Sequence, residues 1–280
     1  LNVPQILYVV DAFTDQPFAG NPAAVCVTAE AVDETWMKLV AREMNLSETA
    51  FAHPIEGGHS LRWLTPSVEV ALCGHATLAS ALVLWETQGF PENETIRFHT
   101  KSGWLTCRKV GGMIEMDFPA KGTTACSAPE GLAASLGCQP VAVASNGMDY
   151  LVEVGSETTL RKLSPNMASL ATLPVRGVIV TARSDDSRYD FVSRFFAPAA
   201  GVNEDPVTGS AHCALAPYWQ AKLGKSEMTG YQASERGGVV HTVVKGDRVL
   251  LRGNAVLMSR VELTPLGTSP RSGDSREHSH

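Results

Sequence analysis

The sequence contains no C-x-x-C pair; its six cysteines, Cys26, Cys73, Cys107, Cys126, Cys138 and Cys213, stand far apart. That spacing fits neither a zinc ribbon nor a redox dithiol, and a chain of 280 residues has no need of disulfide staples, so free thiols in a reducing compartment are expected. Positive charge is in short supply as well. Lys plus Arg number 23 against 29 Asp plus Glu, a formal charge of −6, whereas a nucleic-acid partner needs a concentrated positive field. No apolar run is long enough for a bilayer, and Leu1–Leu7 lacks the basic start and long apolar core of a signal peptide. A soluble cytoplasmic protein with no membrane and no nucleic-acid partner is the expectation.

Cofactor motifs are missing too. No G-x-G-x-x-G, H-E-x-x-H, EF-hand loop or G-x-S-x-G elbow occurs, and the eight histidines are scattered apart from His278 and His280 in the tail. Gly224-Lys225-Ser226 looks like the end of a P-loop, but Trp219 stands where its first glycine belongs. The chemistry is therefore expected to use side chains alone, with no cofactor and no metal.

What the chain does have is a repeat. Leu61-Arg62-Trp63-Leu64-Thr65-Pro66 aligns with Ser193-Arg194-Phe195-Phe196-Ala197-Pro198, placing Arg194 132 positions after Arg62. Gly74-His75-Ala76 aligns with Gly209-Ser210-Ala211 at an offset of 135, which also sets Gly103 on Gly238 and Gly111 on Gly246. One duplicated fold is expected, with three extra residues in the second copy between Arg194 and Gly209. The boundaries read as 1–120 for the first repeat, 121–140 for an Ala/Gly/Ser/Pro-rich linker, 141–264 for the second repeat and 265–280 for a disordered tail.

Periodicity predicts strands at Tyr8–Phe13, Ala24–Thr28, Thr49–Ala52, Leu61–Leu64, Ile96–Thr100, Gly103–Lys109 and Met113–Phe118 in the first half. In the second half it predicts strands near Val239–Val244 and Arg248–Gly253. Glu34–Met44 reads as an amphipathic helix, with a short helix at Glu130–Leu136 in the linker. His75–Trp85 and Gly209–Trp219 read as helices that are apolar around most of their circumference and so must be buried on nearly all sides. The fold class is α+β: two pseudo-symmetric domains, each a curled, mostly antiparallel sheet wrapped round a central helix.

A helix start offers unpaired N–H groups and about half a positive charge, and a glycine there admits a ligand to the backbone. Two such starts, at Gly74 and Gly209, facing one cleft across a pseudo-twofold axis would hold a carboxylate or the enolate-like charge beside it. Singly, each glycine could equally serve tight packing. Glu48 breaks the symmetry, because the corresponding stretch Val175-Arg176-Gly177-Val178-Ile179-Val180-Thr181 has no acid. Partial burial would raise its pKa and let it take and return a proton, although a glutamate at an exposed strand edge is the commoner case. Asp205, whose partner is Val70, is either a site acid or a helix cap. His75 could donate to a carboxylate, and Ser210 in the matching place supplies a hydroxyl. Cys73 precedes a helix start, where thiol pKa is depressed; its partner is Thr208, so a symmetric thiol pair is missing. Cys213 reads as core.

At these residues the sequence resembles the PhzF-like isomerases of the phenazine-biosynthesis family, related in fold to diaminopimelate epimerase and proline racemase. The matching segments are Asp11-Ala12-Phe13, Phe18-Ala19-Gly20-Asn21-Pro22-Ala23-Ala24-Val25, Asn45-Leu46-Ser47-Glu48-Thr49, Leu72-Cys73-Gly74-His75-Ala76-Thr77 and Glu204-Asp205-Pro206-Val207-Thr208-Gly209-Ser210-Ala211. The resemblance implies a diaminopimelate epimerase-like fold, no cofactor, a homodimer, and a site between the domains. It places catalytic roles on Glu48, His75, Asp205 and Ser210, and substrate contacts on Asn21, Cys73, Gly74, Thr208, Gly209 and Ala211. It supports a proton-shifting isomerase acting on a small carboxylic acid, without fixing the substrate. Two alternatives stay open: an epimerase, racemase or lyase using Cys73, and a non-catalytic binding protein with a relic pocket.

Overall fold

A helix that is apolar on every side needs sheet on every side, and the chain supplies it twice. The computed structural model describes residues 4–264; the tail expected at 265–280 lies outside the described residues. In the first half, β1 (Gln5–Ala12) and β2 (Asn21–Val27) pair antiparallel, α1 (Glu34–Met44) crosses over, and β3 (Glu48–Ile55) returns parallel to β2. β4 (Gly58–Leu64) turns back antiparallel, with the two-residue β5 (Glu69–Val70) beside it. Helix α2 (Gly74–Thr87) then leads to β6 (Ile96–Thr100), parallel to β4, and β7 (Gly103–Val110) and β8 (Met113–Pro119) follow antiparallel.

The second half repeats the order. After β9 (Thr124–Ala125) and α3 (Leu132–Leu136), β10 (Ala142–Ser145) pairs antiparallel with β11 (Asp149–Glu153). Short helices α4 (Glu157–Arg161) and α5 (Met167–Leu170) fill the crossover to β12 (Gly177–Arg183), which is parallel to β11. β13 (Phe191–Ala197), β14 (Val202–Asp205), α6 (Gly209–Leu223), β15 (Glu227–Gln232), β16 (Gly238–Lys245) and β17 (Arg248–Gly253) take the places of β4 to β8. The halves join edge to edge where β8 pairs with β17, giving one sheet of 18 strands among the described residues.

The last strand, β18 (Ala255–Leu263), runs antiparallel to β1. It therefore extends the first half's sheet, although in sequence it falls within the span expected for the second repeat. Other boundaries move for local reasons. β2 starts at Asn21, because Asn21 and Pro22 already pair with Ala12 and Asp11; the Gly20-Asn21-Pro22 segment is a strand entry. Phe13, expected inside the first strand, lies beyond it with φ +63°. The short linker helix begins at Leu132, and α6 runs on to Leu223, beyond the expected Trp219.

The duplication is also visible in chemistry. Arg62 grips Glu69 through two hydrogen bonds of 2.8 and 2.7 Å, and Arg194 grips Glu204 through two of 2.7 and 2.8 Å. The turn Pro198–Ala200 lies between Arg194 and Glu204, where the extra residues of the second copy were expected.

Packing follows the period-2 alternation of strands. On β2, Ala23 and Val25 face the core around the central helices, whereas Ala24 and Cys26 face the layer built by Met37, Val40 and Ala41 of α1. Helix α2 buries every residue from His75 to Trp85. Helix α6 carries Pro217 in its interior, and a proline cannot donate to the carbonyl four residues back. That carbonyl, Cys213 O, instead accepts the Lys121 N–H at 2.9 Å. The segment leaving β8 thus repairs the helix of the other half.

The two central helices meet end to end. A Cβ built on Gly74 would lie 3.2 Å from the Gly209 Cα, and one built on Gly209 would lie 3.2 Å from the Gly74 Cα. Both helix starts depend on this backbone approach. On an open helix, Gly→Ala stabilises by about 1 kcal/mol. Gly209→Ala is expected to act in the opposite sense, costing roughly 1–3 kcal/mol as overpacking, and a urea unfolding midpoint below that of the parent checks it.

Candidate active site

Each half sends the N-terminus of its central helix toward the other, and the polar side chains between sheet and helix collect there. Asn21 is held by its entry into β2. Arg236 donates to Gly20 O at 2.8 Å, to Ala19 O at 2.9 Å and to Asp11 Oδ1 at 2.7 Å. Gly20 N–H donates to Gly237 O at 2.8 Å, and Phe18 N–H to Asp11 Oδ2 at 2.9 Å. The Asp11 and Gly20-Asn21 segments are thus fixed by a residue of the second half. Burial raises the pKa of Asp11 despite the Arg236 guanidinium and the Phe18 N–H, which act to lower it.

Glu48 begins β3 and keeps 17% of its side-chain surface, while His75, the second residue of α2, keeps 5%. Glu48 Oε2 lies 3.1 Å from His75 Nε2. This is an ion-pair contact without hydrogen-bond alignment, since Oε2 is buried with no hydrogen-bond partner among the described residues. Cys73, just ahead of α2, places its Sγ 3.5 Å from His75 Nδ1. Burial pushes His75 toward neutrality, but Cys73 and Glu48 beside it prevail, and its pKa is raised well above the ordinary histidine value. With the thiol itself kept protonated, the Glu48 carboxylate is the counter-ion. His212, on the pseudo-equivalent helix, has no charged neighbour to oppose burial and is pushed down to about 4.

Cys73 corrects an expectation. A helix N-terminus lowers a thiol pKa, but burial and then the Glu48 charge push this one up, against the opposing pull of His75.

Asp205 closes the cluster from the second half. Asn21 Nδ2 donates to Asp205 Oδ1 at 2.8 Å and to Val207 O at 2.9 Å, which fixes the amide orientation and leaves Nδ2 3.2 Å from His75 Nδ1. Asn21 Oδ1 is buried with no partner among the described residues. Thr208 donates its hydroxyl to Asp205 Oδ2 through a very short bond. Asp205 is therefore not a helix cap; Thr208 holds the capping position and makes no side-chain cap bond. Burial raises the Asp205 pKa, with His75 lowering it and Glu48 raising it.

Ser210 sits on the second turn-forming residue of α6, where Arg176 Nη2 donates to its Oγ at 3.1 Å. Arg176 is itself gripped by buried Asp149 at 2.9 and 2.6 Å. Gly74 and Gly209 face each other as described, and Ala211 is buried in the core, with only backbone to offer a ligand. The structure thus brings Asn21, Glu48, Cys73, His75, Asp205 and Thr208 into one bonded cluster and places Ser210 at the facing helix start.

Three contributors escaped the sequence reading: Arg236, described above, Arg176 and Gln232. Arg176 lay in the very stretch compared with Glu48, and a basic residue beside the missing acid was its signal. Gln232, wholly buried, receives Thr208 N–H at 2.8 Å and donates to Asp205 O at 2.7 Å, clamping the approach to α6. No spacing in the sequence marks it.

A separate cavity of about 300 Å³ lies between the Phe13–Ala19 loop and Tyr189, Tyr231, Arg236 and His241. Among the described residues no helix is long and apolar enough to cross a membrane.

Two pseudo-symmetric halves with a shared polar cluster at facing helix starts define an epimerase-like fold. Residues 10–260 match the phenazine biosynthesis-like protein family. The chain is 55% identical to an uncharacterized isomerase of Halalkalibacterium halodurans over 258 residues, covering 92% of this chain and 97% of the relative. A PhzF-family crystal structure from Enterococcus faecalis superposes with a TM-score of 0.90 at 39% identity, covering 94% of this chain and all of that one. A probable proline racemase from Agrobacterium radiobacter K84, 11% identical, shares the fold with a TM-score of 0.62 over 95% of this chain and 94% of that one. The chain belongs to the phenazine biosynthesis-like family and is an isomerase of that family.

The raised pKa of Asp205 has a sign that can be checked. A carboxyl whose folded pKa is raised costs no stability below its unfolded pKa of about 3.9, and costs most above the folded value. Asp205→Asn keeps the shape and removes the buried charge. Its thermal midpoint is expected above the parent's at pH 8, with the difference closing toward pH 4, as differential scanning calorimetry will show.

Proposed function

We propose that the protein is a cofactor-independent isomerase that moves a proton between two carbons of a small carboxylic acid, with Glu48 as the general acid/base. The observation that carries this reading is the one-sidedness of the site. Thr49 pairs with Leu64 and Val178 with Phe196, so strand register makes Gly177 the counterpart of Glu48. A Cβ on Gly177 would meet the Phe195 ring at 2.6 Å and Phe196 O at 2.8 Å. A second base has no room there.

Racemisation without a cofactor calls for a base on each face of the stereocentre. Here one half brings Glu48, while the other brings Arg176 and Ser210. The thiol position Cys73 is matched by Thr208, whose hydroxyl is tied to Asp205. This asymmetry favours return of the proton by the group that removed it over the two-base alternative.

In this reading the substrate carboxylate rests on the backbone N–H groups at the starts of α2 and α6. Ser210 Oγ accepts from Arg176, so its own hydrogen is free to point at the ligand. Glu48 removes a proton from a carbon near the carboxylate, and the double bond shifts as negative charge spreads toward the helix starts. The same carboxyl then delivers that proton to a second carbon, restoring Glu48. Protonated His75, its Nε2 3.1 Å from Glu48 Oε2, faces the reacting carboxyl through both steps. Asp205 holds Asn21 and Thr208 in place on the opposite side of the imidazole.

The test is solvent exchange in deuterated water over a panel of small hydroxy, amino and unsaturated acids, read by mass spectrometry. The parent is expected to incorporate deuterium, and Glu48→Gln to exchange roughly 10²–10⁴-fold more slowly. Equal rates in the two proteins would overturn the assignment. Because His75 stays protonated well above the ordinary histidine range, the rate is expected to hold through neutrality and fall on the alkaline side.

A further inference from the structure

Glu48, Cys73 and His75 have a second chemical capacity. Each offers one metal-ligating atom, and these atoms all lie within 4.8 Å of one another. Cys73 Sγ is 4.0 Å from His75 Nε2, and Nε2 is 3.1 Å from Glu48 Oε2. Zinc binds sulfur at about 2.3 Å and nitrogen or oxygen at about 2.0–2.2 Å, so tetrahedral ligand-to-ligand edges run roughly 3.3–3.6 Å. The two edges here bracket that range, and small side-chain rotations reconcile them.

The surroundings favour a cation. Glu48 Oε2 is a buried acceptor with no hydrogen-bond partner among the described residues; its desolvation is offset by the ion-pair contact with His75 Nε2 at 3.1 Å and not by an aligned hydrogen bond. Three protein ligands leave one tetrahedral corner for water or a ligand, the pattern of exchangeable zinc sites. The donor set also selects the ion. Calcium and magnesium demand six or more oxygens, whereas thiolate and imidazole suit zinc and cobalt.

We propose that Glu48, Cys73 and His75 bind a thiophilic divalent cation, and that the bound ion holds this isomerase in an inactive state. The inhibitory half rests on the isomerase reading, since the ion would occupy Glu48 and His75; the binding half does not. Binding forms Sγ–metal, Nε2–metal and carboxylate–metal bonds. The thiol proton and the proton on Nε2 leave to solvent, a proton on Nδ1 faces Cys73 Sγ 3.5 Å away, and nothing is oxidised or reduced. Thiolate and carboxylate together balance the charge of the ion. Among the described residues the second half has no matching site, because Thr208 replaces Cys73.

Cobalt(II) added to the full chain under a non-thiol reductant is the probe, read by absorption without any substrate. One equivalent is expected to produce a thiolate-to-cobalt charge-transfer band and the visible bands of a tetrahedral ion. The band should survive Cys126→Ser with Cys138→Ser, which removes the thiols that are not buried. It should vanish in Cys73→Ser, and Glu48→Gln should keep the band but weaken binding by at least about 10-fold, the loss that removal of even an outer-shell partner brings. No band in the parent, or a band unchanged in Cys73→Ser, overturns the site; if Cys73→Ser does not fold, an unchanged affinity in Glu48→Gln overturns it instead. Stoichiometric zinc is expected to abolish deuterium exchange by the parent. A bound ion with exchange intact overturns the inhibitory half, while a protein that shows no exchange without metal fails the isomerase reading and leaves the binding result standing.

Discussion

The backbone contact between Gly74 and Gly209 is the constraint on which the rest is arranged. Two helix starts carry like partial charges, and bringing them within van der Waals reach is unfavourable unless something negative sits nearby. Glu48 and Asp205 supply it, one from each half. The contact also explains why both helices are apolar around most of their circumference. A helix that points its N-terminus at the molecular centre must run through the middle of its own sheet, and only side chains such as Ala76, Leu78, Ala211 and Leu215 can be buried on every side. Architecture and site are thus two consequences of one placement.

Duplication alone would give a symmetric crevice, and the chemistry depends on how that symmetry is broken. The scaffold keeps it faithfully, down to the paired guanidinium–carboxylate grips of Arg62 with Glu69 and Arg194 with Glu204. The site does not. Where the first half has Cys73, His75 and Glu48, the second has Thr208, Ser210 and Gly177 with a phenylalanine ring filling the space. A sulfur and two titratable groups face a hydroxyl pair and a guanidinium already neutralised by Asp149. In the proposed mechanism one side moves protons and the other holds charge still.

Much of this was legible before any coordinates. The offset of 135 located both helix starts, and the absence of an acid opposite Glu48 marked it as a symmetry-breaking residue. Helical and strand periods found the elements of the first half closely, because each carries its own pattern. What the sequence concealed was pairing between distant segments. Nothing local says that Ala255–Leu263 joins the first half's sheet, since any edge strand reads the same whichever edge it meets. Gln232 and Arg236 were likewise invisible; each acts by reaching across more than twenty residues to a backbone carbonyl, and such contacts leave no spacing to count. The Cys73 expectation failed for a related reason. A helix start acts on a thiol through a dipole of known sign, but here enclosure by the folded chain has the larger effect.

Burial is what turns this cluster from a set of polar residues into a reactive one. Histidines on both central helices are buried, yet their protonation moves in opposite directions, and the difference lies entirely in neighbours: His75 meets a carboxylate, His212 a backbone carbonyl. Beside His75, Cys73 and Glu48 together outweigh the cost of removing an imidazolium from water, and at His212, with no such neighbours, that cost decides the outcome. The same enclosure leaves Asn21 Oδ1 and Glu48 Oε2 without hydrogen-bond partners among the described residues, so unmet hydrogen-bonding capacity sits where the two helices converge. A site built in this way is held at some expense of stability, and the sheet that closes around both helices provides the compensation.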